Sequence, residues 1–229
     1  MRLKVSKIRV SAHKMSTLSL VQIKRALTHL PRTSFGVSVP ELRKLARQIA
    51  RTDYPSFIEQ NPNNTFELRL LHAFVLGYAK DDLHTLLRYF QAFVPLANRW
   101  ELTDSLCQNF TIARKYPQEV WDFILRYKKS KKEFESRIVA VMLLSHYLID
   151  AYIDRVLAVL NQLNTDDYYS QMGVAWALAT VVGKYPQKGL AFLRSRACSL
   201  DTPTRQKTIR KIRESFRVAQ EIKEQLSEL

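Results

Sequence analysis

Glycine is scarce in this chain: there are 5 glycines among 229 residues, and they stand apart from one another. No G-x-G-x-x-G occurs, and Gly183-Lys184 lacks both the earlier glycine and the following Ser or Thr of a P-loop. A G-x-S-x-G nucleophile motif is also missing. The sequence therefore lacks the familiar signatures of dinucleotide-binding proteins, P-loop proteins and α/β-hydrolases.

The chain offers no metal ligands at a recognised spacing. Its 5 histidines have no metal-ligand spacing with each other or with the 2 cysteines. Cys107 and Cys198 lie far apart, each in an apolar stretch. We expect them to be small core residues of a protein in a reducing compartment, not a disulfide. No metal site is expected.

No stretch of the sequence is long and apolar enough to cross a membrane. The longest apolar run, residues 139–149, is interrupted by Ser145 and His146, whereas a spanning helix needs about 20 residues. The basic start M-R-L-K-V-S-K-I-R-V has no apolar segment after it, so it does not read as a signal peptide. We expect a soluble, cytoplasmic protein with no membrane partner.

Acidic residues are rare at the start of the chain. Residues 1–52 hold 12 Lys and Arg against one acid, residues 184–229 hold 11 against 5, and residues 53–183 hold 13 against 15. The net charge of +15 therefore lies at the two ends. Basic ends around a near-neutral middle favour nucleic-acid phosphates as the partner, with an anionic membrane or an acidic protein as the alternative.

The spacing of apolar residues predicts an all-α fold. Residues 18–30 form the first expected helix. Prolines and capping residues then open further helices at Pro40, Asn64-Thr65, Asp81-Asp82, Pro117, Asp166-Asp167 and Thr202-Pro203. The last of these is expected to run to about Glu228. We expect roughly eleven or twelve helices in all and no strand.

Apolar helices recur along the sequence. Four of them begin near Phe66, Trp100, Glu135 and Ser170, 34 to 35 residues apart, and a shorter amphipathic helix follows each. A helix pair repeated at this period is typical of an α-solenoid. We expect a single HEAT-like repeat domain over residues 1–229 and a monomer, with residues 1–16 as a candidate basic N-terminal arm.

One tryptophan and one carboxylate share a predicted helix. Trp100 and Asp104 in R-W-E-L-T-D are four residues apart and so lie on one face, where an aromatic ring and a carboxylate can together hold a cation. Arg137 and Trp176, from the next two repeats, could converge on the same surface. The alternatives are plain core packing for the tryptophans, a solvated or capping role for Asp104, and a helix-entrance position for Arg137.

Four segments together resemble the DNA alkylation repair family, the AlkC/AlkD-type alkylpurine DNA glycosylases built from HEAT-like repeats. They are F-G-V-S-V-P-E-L-R-K-L-A from Phe35, N-R-W-E-L-T-D from Asn98, F-E-S-R-I-V-A-V from Phe134 and G-V-A-W-A-L-A from Gly173. The second is similar to the family's W-D-x-V-D stretch and the fourth to its G-W-A-L-R stretch. The resemblance covers residues from about 35 to 195.

The resemblance implies a right-handed solenoid with a basic concave groove around double-stranded DNA, and hydrolysis of the N-glycosidic bond of cationic N3- or N7-alkylated purines. It implies that Asp104 is the catalytic carboxylate and that Trp100 and Trp176 are aromatic walls at the lesion. It also implies that Arg137 contacts the DNA backbone and that no cofactor is needed. The further residues expected to contact DNA are Arg43, Lys44, Arg205, Arg213 and Arg217.

The sequence departs from the family pattern in three places. T-H-L-P-R-T-S stands before Phe35 instead of an aromatic helix, Ser136-Arg137 replaces a pair of arginines, and Ala179 replaces the last arginine of the fourth segment. For the C-terminal helix, a solvated face is the alternative to a stripe that follows phosphates. A non-catalytic nucleic-acid-binding solenoid and a protein scaffold therefore stay open as alternative functions.

Overall fold

Twelve α-helices make up most of residues 37–228, the part of the chain that the structure, a computed structural model, describes. These residues contain no strand. The helices are α1 (Val39–Ile49), α2 (Tyr54–Gln60), α3 (Phe66–Tyr78), α4 (Leu83–Phe93), α5 (Trp100–Asn109), α6 (Pro117–Ile124), α7 (Glu133–His146), α8 (Ile153–Leu160), α9 (Tyr168–Lys184), α10 (Pro186–Arg194), α11 (Thr202–Glu214) and α12 (Gln220–Glu224). Short 3-10 segments follow α4, α5, α6 and α12. The helix expected over residues 18–30 and the candidate arm at residues 1–16 lie outside the described residues.

The capping residues read from the sequence begin several of these helices. Thr65 caps α3 by accepting a hydrogen bond from the Leu68 amide, and Asp82 caps α4 by accepting one from the Thr85 amide. Pro117 is the first residue of α6, where its missing N–H costs no helical hydrogen bond. These helix starts confirm the corresponding sequence predictions.

The helices alternate between two sets. The first helices of the pairs (α1, α3, α5, α7, α9 and α11) pack against one another in chain order. The second helices (α2, α4, α6, α8, α10 and α12) pack only sparsely against one another. We call these sets the first layer and the second layer. All the described residues that the sequence analysis proposed for a site lie on the first layer, apart from Arg217, which follows it.

The core consists of one large apolar cluster and one smaller cluster. The large one runs from α1 to α9 and includes the fully buried Trp121, and the small one lies beneath the C-terminal helices. Helix α9 contributes to both, through Val181 and Val182. Its long apolar sequence is explained by this position, because it is covered by helices on both sides.

The C-terminal helix is shorter than the sequence predicted. The prediction of a helix from Thr202 to about Glu228 is wrong, because α11 ends at Glu214 and Ser215 is extended. A turn then leads into α12. This break lets Val218 enter the smaller cluster, where it is 6% exposed.

A buried histidine makes the fold sensitive to acid. His72 on α3 packs edge-on against Phe93, and its Nδ1 lies 3.0 Å from Asn63 Oδ1. Burial lowers the pKa of His72 to about 4, from its ordinary value near 6.5. Because the folded state binds this proton less tightly than the unfolded state does, the stabilisation is present above about pH 6.5 and is lost as the pH falls toward 4.

We predict that the free energy of unfolding falls by about 3 kcal/mol through His72 alone between about pH 7 and about pH 4. His72→Gln removes this part of the fall, because glutamine does not titrate. The measurement is urea unfolding at both pH values. His84→Gln, at an exposed histidine on α4, is the matched control for the exchange of a histidine for glutamine. An equal fall in the His72→Gln protein would contradict the prediction.

Candidate active site

A buried ion pair joins Asp104 of α5 to Arg137 of α7. Arg137 donates from Nε to Oδ1 of Asp104 at 2.9 Å and from Nη2 to Oδ2 at 2.8 Å. Each side chain is 7% exposed. Two parallel N–H···O bonds fix the carboxylate plane against the guanidinium plane, the strongest geometry for such a pair. Asp104 is thus neither a solvated nor a capping residue.

The same guanidinium also reaches a third helix. Arg137 Nη1 donates to the backbone carbonyl of Tyr169, in the first turn of α9, at 2.9 Å. Gly173, one turn later, allows this approach: a Cβ atom there would lie 3.2 Å from Arg137 Cγ. The arginine therefore sets the positions of three successive first-layer helices relative to one another. Little of its surface is left for another ligand in this arrangement.

The surroundings of Asp104 are largely apolar. Burial raises the pKa of its carboxyl, and the Arg137 guanidinium opposes that rise by stabilising the charged form. Cys107, less than a turn further along α5, is fully buried, and burial raises the pKa of its thiol well above the usual range, so it is neutral at pH 7. The Asp104 charge consequently depends on a cation at the Arg137 position.

The two tryptophans proposed for the site differ in exposure. Trp100 is the first residue of α5 and is 44% exposed, so plain core packing does not describe it. Trp176 of α9 is half-buried and packs against the large core cluster. It lies less than a turn beyond Gly173, on the helix that contacts Arg137. Trp121, which the sequence analysis did not propose for the site, is the fully buried tryptophan.

Two of the proposed DNA contacts lie at the N-terminal end of the described residues, on α1. Arg43 Nη1 donates to the Tyr78 hydroxyl at 3.1 Å, and its Cζ lies 4.4 Å from the centre of the Phe74 ring. Lys44 is exposed. Two first-layer contacts, α1 with α3 and α3 with α5, separate this helix from Asp104. The structure therefore does not bring Arg43 and Lys44 to the carboxylate.

The three arginines proposed near the C-terminus do not form one stripe. Arg205 Nη2 donates to the Leu193 carbonyl at 2.7 Å, so it ties α11 to the last turn of α10. Arg213 is exposed near the end of α11, and Arg217 is exposed in the turn that follows. Sequence spacing could not separate the tethered arginine from the exposed ones.

Sequence reasoning gave no role to two residues that shape the site. Tyr169 acts through its carbonyl, which no residue pattern reveals. Gly173 belongs to the fourth segment of the family resemblance. A single glycine within a predicted apolar helix is a signal that the sequence does offer, because such a glycine often marks a place where another part of the chain packs closely against the helix. Both are needed to hold Arg137 where it meets Asp104.

Two further findings concern the described residues as a whole. Within residues 37–228, no cluster of three or more His, Cys, Asp or Glu side chains is arranged to hold a metal ion. None of the helices between those residues combines the length and the apolar character that crossing a membrane requires.

Comparison with models of known protein families identifies the family of this chain. The family model described as DNA alkylation repair enzyme matches residues 22–212. The chain belongs to this family. The matched range contains all four segments on which the resemblance rested, so that prediction is confirmed. No curated protein and no solved structure matches the chain.

For this member of the repair family we predict that Asp104 and Arg137 stabilise the fold strongly only as a pair. Asp104→Asn and Arg137→Gln each leave a buried charge without its partner, which costs about 3 to 5 kcal/mol of unfolding free energy. The double variant is expected to lose clearly less than the sum of the two. Urea unfolding of the four proteins gives the coupling energy.

The exposed pair of Lys188 and Asp154 is the matched control, with side chains 46% and 75% exposed. Asp154→Asn is expected to change the unfolding free energy by less than about 1 kcal/mol, because water screens that pair. If Asp104→Asn and Asp154→Asn lowered the unfolding free energy by similar amounts, the buried pair would stabilise the fold no more than the exposed pair, and the prediction would be wrong.

Proposed function

We propose that this repair-family protein binds double-stranded DNA along its first layer and hydrolyses the N-glycosidic bond of cationic N3- or N7-alkylated purines. The observation that carries the proposal is the buried Asp104 carboxylate, which lies on the helix that begins with the half-exposed Trp100 and is bonded by Arg137 of α7. An anion kept out of water stabilises a cation strongly, and an alkylated purine nucleotide is cationic.

The architecture in which this occurs is proposed to be one right-handed solenoid domain of HEAT-like helix pairs, with the first layer on its concave side. The support is that first helices pack closely in chain order while second helices pack sparsely, as expected on the inner and outer sides of a curved stack. A concave first layer would bring Trp100, Asp104, Arg137 and Trp176 to one surface.

The chemistry assigns different tasks to the residues. An alkylated purine leaves without needing a proton, because it already carries positive charge. As the bond lengthens, the deoxyribose becomes oxocarbenium-like, and Asp104 stabilises that charge and can orient the attacking water. The indole faces of Trp100 and Trp176 add cation–π attraction of about 0.5 to 2 kcal/mol each. No metal or organic cofactor has a part in these steps.

The ion pair sets a condition on substrates. In the structure both carboxylate oxygens of Asp104 accept hydrogen bonds from Arg137, so the carboxylate is already neutralised. We propose that a DNA phosphate draws Arg137 away and that the cationic nucleotide takes its place beside Asp104. A neutral base could not do this, because it would leave the buried carboxylate without a positive partner, at a cost of about 3 to 5 kcal/mol. Selectivity for cationic lesions follows from that cost.

We predict that the intact protein releases 7-methylguanine or 3-methyladenine from methylated duplex DNA, and that Asp104→Asn lowers the single-turnover rate about a hundredfold or more. Trp100→Ala is expected to lower it about tenfold, because one cation–π contact is lost, and Trp100→Phe less. Released bases are quantified by chromatography, at a temperature at which each variant is folded by circular dichroism. Asp154→Asn is the control and keeps the rate of the unchanged protein.

If the intact protein releases no base even in large excess over DNA, the glycosylase proposal fails. The Trp100 variants keep the test meaningful even if Asp104→Asn unfolds, because an exposed side chain contributes little to folding.

A non-catalytic DNA-binding role is the second candidate. The observation that favours it is the closed ion pair itself, which leaves Asp104 only 5% exposed. This role predicts DNA binding without base release and a steep fall of affinity with salt, because bound phosphates release counterions.

We predict that Arg213→Ala lowers the slope of log affinity against log salt by about 1 for duplex DNA, since an exposed arginine can contact one phosphate. Arg205→Ala is the matched control on the same helix. Its guanidinium is bonded to the Leu193 carbonyl, so the change is expected to lower the melting temperature and leave the slope unchanged. Fluorescence anisotropy across a salt series measures the slope. Equal slopes for the Arg213→Ala and unchanged proteins would remove Arg213 from the DNA surface.

A further inference from the structure

A groove on the second layer offers a binding surface separate from Asp104. A cavity of 510 Å³ opens between α4 and α6, a size in the range of ligand-binding sites. Leu87, Ala92 and the largely buried Phe123 supply its apolar lining, whereas His84, Arg88, Gln91 and Arg126 supply its polar groups. No carboxylate lines it. Asp104 and Arg137 lie on the other layer.

The two arginines of the groove lie close to aromatic rings. Arg88 Cζ lies 4.6 Å from the centre of the Tyr89 ring, and Arg126 Cζ lies 5.5 Å from that of Phe123. Both arginine side chains are exposed, and a guanidinium group can bind a planar carboxylate in bidentate geometry. Neither arginine pairs with a carboxylate of residues 37–228. Asp122, one turn before Arg126, instead accepts a hydrogen bond from Gln118.

The positive charge continues beyond the groove. The residues after Arg126 read Y-K-K-S-K-K, and of these four lysines only Lys132 forms an ion pair within the described part of the chain, with Glu135. The groove thus combines an apolar floor, two exposed guanidinium groups and a cationic extension at its Arg126 end. A nucleic-acid backbone would bind the cations but leave the apolar floor of the groove uncovered. A protein segment with both carboxylates and apolar side chains would cover both.

We propose that this groove binds an acidic segment of a protein partner, with carboxylates on Arg88 and Arg126 and apolar side chains on Leu87 and Ala92. Arginine and aromatic residues are enriched at protein interfaces, and charge complementarity selects the partner. The interaction does not depend on base excision, because it uses the other layer. A repair protein built in this way holds a partner while its first layer stays open to DNA.

The test uses a fluorescein-labelled synthetic peptide in which glutamate alternates with leucine and phenylalanine, and fluorescence anisotropy with the full chain. Binding is expected to be saturable, and glutamine in place of glutamate is expected to abolish it. Arg88→Glu combined with Arg126→Glu is expected to raise the Kd about tenfold or more. Leu87→Asn is expected to weaken this peptide severalfold while sparing a peptide in which glutamate alternates with glycine.

Arg155→Glu is the matched control. Arg155 is an exposed second-layer arginine on α8 that stacks at 4.4 Å on Trp121, outside the groove. It is expected to leave the Kd unchanged within about twofold. Equal weakening by Arg155→Glu would mean general attraction to a basic protein and would overturn the proposal. So would failure of the acidic peptide to bind, or its displacement by a short DNA duplex at similar concentration, which would make the groove part of the DNA surface. None of these outcomes bears on whether methylated DNA loses bases.

Discussion

A single buried ion pair constrains the middle of this molecule. Asp104 cannot carry its charge in apolar surroundings without a cation beside it, and Arg137 supplies that cation from the next first-layer helix. The same guanidinium bonds the Tyr169 carbonyl, so α5, α7 and α9 must keep one relative position for the pair to form. Gly173 then follows as a packing requirement, since any side chain there would crowd the arginine.

This constraint also connects packing with the proposed chemistry. A carboxylate already paired with arginine cannot stabilise a second cation until the first has moved, so the pair acts as a threshold. In the proposed reaction, a substrate has to offer a phosphate for Arg137 and a positive charge for Asp104 in the same event. Alkylated purine nucleotides in DNA carry both, whereas normal nucleotides carry only the phosphate. Trp100, half-exposed at the start of the same helix, is suited to receive the cationic base because its ring is not occupied by core packing.

The features of the fold that depend on residues within one helical turn could be predicted from the sequence. Those that depend on contacts between residues far apart in the chain could not. Thr65, Asp82 and Pro117 were read correctly because caps and prolines act within one helical turn. The four-residue spacing placed Trp100 and Asp104 on one helix but could not tell which was buried, since that depends on a contact with Arg137, 33 positions away. The end of α11 was missed for a similar reason. Its charged pattern continues past Glu214 with neither glycine nor proline, and the burial of Val218 against distant residues of α9 and α10 is not visible in local sequence.

The unequal packing of the two layers explains why a second surface exists. First helices approach closely, which buries polar groups such as Asp104 and demands exact pairing. Second helices pack sparsely against one another, so space remains between neighbours, and exposed arginines lie there over rings that are themselves buried. The buried charge of Asp104 in the first layer is therefore committed to Arg137 inside the protein, while the exposed Arg88 and Arg126 in the second layer can bind a partner outside it. The two layers thus hold two different kinds of proposed site. At Asp104 a ligand first has to displace Arg137, whereas the groove between α4 and α6 can bind without such a change.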